Sequence, residues 1–354
     1  MIPAARGPGR GAAFLRLLLA LAISAAGGAL AQALGLPAGW LMGGAVAVSA
    51  AALAGVPLGL PNWLRDVTFV LTGVSMGASV ARDSLALVAQ WPISLAALVA
   101  ELVIIVLSTG YMLRRVFRLD PGTAYLSSFP GHLSFVMGIA AAGVGDPRQI
   151  VIIQVIRIMM LTICVPIGTH FLPAVQAAAP AQVPAMDWMV LLLLCLGCGL
   201  AGLLATKARM PAGIVLGAMA AATAAKLGGL FDGAMPGPVL VVTYVLVGAL
   251  IGSRFAGIGW AEFRQAAVGG LIATAMTVGI VTAMAGVVAA FVDMPFGQIW
   301  LGLSPGALEG MGALGVALGY DTAFIAAHHV TRLMLLTFAI PLVAYLVAPR
   351  RPGA

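Results

Sequence analysis

Apolar residues come in long unbroken runs along this chain, separated by short polar breaks, and nowhere do they alternate with a period of two. Runs of about 18 or more apolar residues are the mark of helices that cross a bilayer. Six segments are predicted in the first half, at 14–34, 39–56, 64–81, 91–113, 122–143 and 148–172. Six more follow at 187–206, 211–230, 236–253, 266–291, 298–318 and 321–347. A backbone exposed to lipid must satisfy its hydrogen bonds within its own helix or in a closed barrel, and the missing alternation excludes the barrel. The predicted fold class is therefore all-α, a polytopic integral membrane protein.

The second half repeats the first. Ser128–Pro166 reads SFPGHLSFVMGIAAAGVGDPRQIVIIQVIRIMMLTICVP, and Leu303–Pro341 reads LSPGALEGMGALGVALGYDTAFIAAHHVTRLMLLTFAIP. At one offset Pro130 pairs with Pro305, Gly131 with Gly306, Asp146 with Asp321, Arg157 with Arg332 and Pro166 with Pro341. LPAGWLMGG at Leu36–Gly44 returns as MPAGIVLGA at Met210–Ala218, and Gly73 and Gly77 return as Gly248 and Gly252. The expected organisation is a first membrane repeat at 1–173, a linker at 174–186 and a second repeat at 187–354.

Charge decides how these repeats lie. If all twelve segments crossed, Arg82, Arg148, Lys207, Arg209, Arg254 and Arg264 would fall outside, against the tendency of basic loops to stay in the cytoplasm. If the fifth segment of each repeat enters and leaves on one side, each repeat has five crossings and the second is inverted. Nearly all basic residues are then cytoplasmic, with Arg82 and Lys226 as the exceptions, and so are both termini. On charge alone the sixth segment would serve nearly as well as the fifth, and the expectation is ten crossings plus two re-entrant, broken segments. Proline disfavours helix at its own position and at the one before, so the breaks belong at Pro130 and Pro305.

Composition narrows the function classes. Of 354 residues, 62% are hydrophobic and 8% charged, and the net charge of +7 sits in loops and helix ends rather than in a nucleic-acid-binding patch. No loop is long enough for a soluble catalytic or DNA-binding domain. Cys164, Cys195 and Cys198 lie in apolar segments and read as packing residues; no metal site or cofactor is expected. The N-terminus imitates a secretion signal, with Arg6, Arg10 and Arg16 before an apolar run. Leu17–Leu19 nevertheless recur as Leu191–Leu193, so the run is kept as the first helix.

The candidate site gathers at the repeated motif. Arg157 and Arg332 each stand deep in an apolar helix, where a cation costs about 2.5–3.5 kcal/mol on insertion scales. They either tie down carbonyls freed at the Pro-Gly breaks or face an anionic substrate. His328 and His329 precede Arg332 by four and three positions, with Gln154 in place of His329 in the first copy. They either relay a proton or bind a ligand, or they hydrogen-bond within the bundle. Pro130, Gly131, Pro305 and Gly306 would open short helices whose free amides attract anions, as in transporters with broken helices. Glu309 is either a proton or cation carrier or the partner of Arg332, and Glu101 is a second intramembrane carboxylate with Met276 at the matching position. Asp146 and Asp321 are expected to cap the helices that follow them.

On the repeated Pro-Gly, Asp and Arg unit, on LPAGWLMGG and MPAGIVLGA, and on AHHVTRLM at Ala327–Met334, the chain resembles the bacterial AbrB-duplication membrane family. That family also carries the labels of ammonia monooxygenase and of AbrB-family transcriptional regulator. Its pattern PGGLxEM stands here as PGHLSF and PGALEGM, so the first copy lacks the acid and the second has Glu309 one place early. The resemblance implies an integral inner-membrane protein associated with regulation of gene expression. Four scattered histidines and three apolar cysteines make no copper site, so no enzyme is expected. The expected function is transport of a small, anionic solute; the alternative is a membrane sensor acting indirectly on gene expression. The expected partners are the lipid bilayer and that solute, without direct nucleic-acid contact and with self-association left open.

Overall fold

The computed structural model describes residues 10–80, 91–170 and 184–347. The first repeat comprises α1 (Arg10–Ala33), α2 (Gly39–Leu53), α3 (Asn62–Ser79), α4 (Trp91–Arg115), α5 (Pro121–Ser128), α6 (Leu133–Ala141) and α7 (Pro147–His170). The second comprises α8 (Trp188–Lys207), α9 (Gly213–Leu227), α10 (Gly237–Gly252), α11 (Trp260–Ala289), α12 (Phe296–Leu303), α13 (Leu308–Leu318) and α14 (Thr322–Val347). No strand occurs among the described residues, and one isolated bridge joins Ala185 to Ala234. The fold is an all-helical polytopic membrane bundle. Most of the expected linker, and Arg82, lie outside the described residues.

Seven helices are long and apolar enough to span: α1, α4, α7, α8, α10 with its closing 3-10 turn, α11 and α14. At 15 residues each, α2 and α9 are shorter, and at 1.5 Å per residue they extend about 22 Å. The bundle is apolar outside, and its intramembrane charges are buried among a hydrophobic core. Leu193, Leu196 and Leu200 of α8 and Phe338 and Leu346 of α14 are exposed, whereas Glu101, His328, His329 and Arg332 are buried. Helix α11 starts at Trp260, earlier than the apolar run predicts. Its first turn carries Glu262 and Arg264, and Glu262 Oε2 accepts from the Gly259 N–H at 3.5 Å.

The broken fifth segment is a hairpin in both copies. In the first, α5 and α6 are separated by the Pro130-Gly131 break, and the chain returns to where it began. The Asp146 N–H donates to Thr123 Oγ1 at 2.6 Å, and a methyl at Gly122 would lie 2.8 Å from the Gly145 nitrogen. In the second, α12 and α13 flank Pro305-Gly306, and the Asp321 N–H donates to Gln298 Oε1 at 3.1 Å. Each hairpin thus enters and leaves at one end of the bundle. Asp146 and Asp321 cap the helices behind them, accepting from the Arg148 N–H at 2.9 Å and the Ala323 N–H at 2.8 Å.

The glycine pairs show how the repeats face each other. A methyl at Gly73 would lie 2.6 Å from the Val215 carbonyl oxygen, and one at Gly77 would lie 2.6 Å from that of Met219. A methyl at Gly248 would lie 3.0 Å from the Leu41 carbonyl oxygen, and one at Gly252 would lie 2.8 Å from the Ser49 nitrogen. So α3 runs alongside α9 in the same direction, and α10 alongside α2, their backbones in near contact. Within the first repeat α2 runs against α1, since Gly28 meets Trp40 while Gly44 meets Ser24. The starts of α1 and α3 share a cleft lined by Phe14, Leu17, Pro61 and Trp63, so α3 is parallel to α1 and antiparallel to α2. Helix α9 follows α3 and is therefore antiparallel to its twin α2. The two repeats are inverted.

The repeated PAG motif marks the starts of α2 and α9. Ala38 and Ala212 are both left-handed, at φ 51° and 50°. An L-residue there costs about 1–2 kcal/mol. The following glycines admit the neighbouring helix: methyls at Gly39 and Gly213 would lie 2.7 and 2.8 Å from the Cα atoms of Gln32 and Thr206.

Candidate functional site

The two hairpin tips meet inside the bundle at a cavity of about 460 Å³ whose walls are partly charged and partly apolar. Its walls include Gly131, Gln154, Arg157, Pro305, Gly306, Glu309, His329 and Arg332. A volume in this range suits a small-molecule ligand. Eight of the residues singled out from sequence are therefore brought together from four elements of two inverted repeats. Pro130 and His328 are not among the lining residues. Pro130 is buried in the break itself.

Both arginines first serve the breaks. Arg157 donates from Nη1 to the Ser127 carbonyl at 3.2 Å and from Nη2 to the Phe129 carbonyl at 2.7 Å. Arg332 donates from Nη1 to the Ser304 carbonyl at 2.9 Å and from Nη2 to the Gly306 carbonyl at 3.1 Å. Ser127, Phe129 and Ser304 stand at the C-terminal ends of α5 and α12, Gly306 lies just past the second break, and a cation at a helix C-terminus also matches the helix dipole. Of the two readings of these arginines, carbonyl capping describes most of their hydrogen bonds. Each Nε has no hydrogen-bond partner, and each side chain still borders the cavity.

The twin positions Gln154 and His329 do the same work one turn earlier. Gln154 Nε2 donates to the Leu126 carbonyl at 3.2 Å, and His329 Nε2 lies 3.3 Å from the Leu301 carbonyl. His329 Nδ1 stands 2.6 Å from Arg332 Nη2 and accepts from it, so Nε2 holds the hydrogen that goes to Leu301. His328 points elsewhere, as adjacent helical residues must, about 100° around the axis. Its ring meets the Phe324 carbonyl at 2.9 Å and Ser94 Oγ at 2.8 Å.

Glu309 is paired, though not with Arg332. Its Oε1 accepts from Arg254 Nη2 at 2.6 Å, and Arg254 stands just beyond α10. Arg254, Phe69, Pro211, Ala212 and His132 also line the cavity and were not singled out from sequence. Pro211 and Ala212 carried a signal in the repeated PAG motif; Arg254 read only as a loop charge. At the first break Gly131 has φ 126° and His132 φ 58°. The first value lies where glycine is favoured.

The cavity is bounded unequally at its two ends. The start of α9 and the end of α10 line it through Ala212 and Arg254. Their twins, Ala38 at the start of α2 and Ser79 at the end of α3, do not. Ala38 packs on the main hydrophobic cluster, and Ser79 Oγ lies 3.0 Å from Thr322 Oγ1, which donates to the Met76 carbonyl at 2.7 Å. At the base of the second hairpin Tyr320 packs on Gly297, and burial raises its phenol above its ordinary value, keeping it neutral.

Comparison with known proteins places this architecture. The profile of the family described as transition state regulatory protein AbrB matches residues 40–348. An uncharacterized protein, YhjN, of Bacillus subtilis (strain 168) is 24% identical over 367 aligned positions, which cover 92% of each chain. A protein of Escherichia coli (strain K12) named as a candidate regulator, AbrB, is 24% identical over 322 positions, covering 90% of this chain and 92% of that one. No solved structure matches the chain.

Proposed function

The chain belongs to the AbrB family, and from that premise we propose that it carries a small anionic solute across the bacterial inner membrane by opening its central cavity alternately to either side. One observation carries this reading: two inverted broken hairpins meet at a cavity bordered by Arg157 and Arg332. The inversion supplies two related conformations, because exchanging the roles of the repeats would close one end and open the other. The chemistry suits an anion. Arg157, Arg332 and Arg254 face a single lining carboxylate, Glu309, and neither His132 nor Ala307 caps the helix it precedes with its side chain. Uncapped amides and arginines together favour a negative ligand. No catalytic step is assigned. We place both termini in the cytoplasm from the distribution of basic residues, which puts the end lined by Arg254 on the cytoplasmic side.

The test is uptake of labelled acetate, succinate, phosphate and sulfate into proteoliposomes holding the full chain. Uptake of at least one, lost in Arg332→Ala protein that still elutes as a folded species, supports transport. Uptake equal to empty vesicles for all four overturns it for anions of this class. The second reading, a membrane sensor acting on gene expression through a cytoplasmic partner, is favoured by the regulator names of the family and of the Escherichia coli relative. Solute binding without uptake would point to it. Orientation is tested separately, with the native cysteines replaced and a cysteine at Ala178 exposed to an impermeant maleimide. Labelling from outside intact cells agrees with inverted repeats and cytoplasmic termini, and labelling only after lysis overturns them.

A further inference from the structure

Glu101 is not among the residues lining the cavity and is fully buried near the centre of α4. Neither Oε1 nor Oε2 has a hydrogen-bond partner. An ionised carboxylate buried in this way costs several kcal/mol unless a charge or hydrogen bonds offset it. The charge acting on it is Arg332. That guanidinium has already turned its Nη hydrogens to the Ser304 and Gly306 carbonyls and to His329. It acts on Glu101 through space, without a hydrogen bond.

The surroundings of Glu101 narrow what it can hold. From α14 the ionisable groups at this level are His328, His329 and Arg332, and both ring nitrogens of each histidine are engaged. Helix α11, packed along α4, carries no ionisable residue after Arg264. Helix α5 brings Tyr125 against Gly110, more than two turns further along. A hard cation needs about six oxygen ligands, and among the described residues no cluster of three acidic, histidine or cysteine side chains exists to begin such a shell. A proton needs one oxygen.

We propose that Glu101 is a proton-binding site linked to the cavity through Arg332, so that an anion entering beside Arg332 is accompanied by one proton on Glu101. The linkage is electrostatic competition. Arg332 is the positive charge shared by Glu101 on one side and by a ligand in the cavity on the other. An anion drawn to Arg332 weakens the field that favours the carboxylate over the acid, and an ionised Glu101 then takes a proton from water to become the neutral acid. The balance is one anion and one proton bound, with no other bond made or broken. The reverse follows by reciprocity: a protonated Glu101 frees Arg332 for the anion. Symport of anion and proton rests on the transport reading above; the proton site itself does not.

The test is infrared spectroscopy of the full chain in lipid nanodiscs, followed through a pH titration. Wild type is expected to show a protonated-carboxyl band, sensitive to deuterium, that is lost in Glu101→Gln and kept in Glu309→Gln. Arg332→Gln removes the shared charge as a bound anion would, and the Glu101 band is expected to persist to higher pH than in wild type. Arg332→Lys keeps the charge and holds the band near its wild-type intensity. Spectra of wild type and Glu101→Gln that superimpose throughout the titration overturn the proposal, and this comparison stands even if Arg332→Gln fails to fold. A Glu101 band indifferent to Arg332→Gln overturns the linkage. Proteoliposome uptake failing for every anion while the Glu101 band behaves as expected removes transport and leaves the proton site. Uptake with no Glu101 band removes this inference alone.

Discussion

The two hairpins come from one repeated sequence and lie in different surroundings. In the second, every residue of α13 from Leu308 to Gly315 is buried. In the first, Gly131 and Leu133 are half-buried and Gly138 is exposed. The cause lies in the residues. Where α13 has Gly310 and Gly312, α6 has Phe135 and Met137. Gly312 abuts the Met76 thioether of α3, and a methyl at Gly310 would lie 3.2 Å from Ile251 Cδ1 of α10. The second hairpin is slim enough to wedge between the two glycine-paired helices, and the first is not. One end of the cavity is shut by that wedge while the other is lined by Arg254 and Ala212. A symmetric architecture is held in an asymmetric state by side-chain volume.

The largest effect should come from erasing this difference. Grafting the first hairpin's residues into the second, Gly310→Phe with Gly312→Met, overfills the wedge at about 1–3 kcal/mol per site. The double variant should melt well below wild type in detergent, whereas Phe135→Gly with Met137→Gly should shift the melting temperature less. Equal shifts would mean that the wedge does not hold the asymmetry. Next come the twin arginines. Arg332→Ala strips the charge that Glu101 faces as well as two carbonyl partners, and should cost about 3–5 kcal/mol. Arg157→Ala should cost nearer 1–3 kcal/mol, because Arg157 holds two carbonyls and has no bond to a side chain like that of Arg332 to His329. Thermal unfolding of the two purified variants compares them, and a more damaging Arg157→Ala would refute the ordering. The smallest effect is expected at the seal. Thr322→Val removes the bonds to Met76 and Ser79 at about 1 kcal/mol. It should speed maleimide labelling of a cysteine placed at Ala38, and leave labelling of one at Ala212 unchanged.

The repeat made much of this legible before any coordinates. A single offset paired Pro130 with Pro305 and Arg157 with Arg332, and the basic loops favoured a fifth or sixth segment that turns back. The hairpins meet both expectations, because proline and burial of a cation leave the chain few choices. Pairing at a distance was not legible. Glu309 and Arg254 are far apart in sequence, and nothing in either segment favours that partner over Arg332. The orientation of His328 was equally hidden, since two adjacent histidines cannot both face one cavity and the sequence does not rank them. The asymmetry was written in glycine against phenylalanine and methionine. It becomes readable only once Met76 and Ile251 are known to stand opposite.

The seal at Ser79 and Thr322 has a consequence for how the protein meets the membrane voltage. Water reaching the cavity from the end lined by Arg254 brings that side's potential down to the hairpin tips. The voltage then falls mainly across the wedged second hairpin. Reversing which end is shut would move this drop to the other hairpin, with Arg157 and Arg332 staying where they are. A unit charge crossing the full field changes energy by about 2.3 kcal/mol per 100 mV. The tip charges would thus sit at the potential of whichever side the cavity opens to, and an energised cell would favour one state over the other even in the absence of solute.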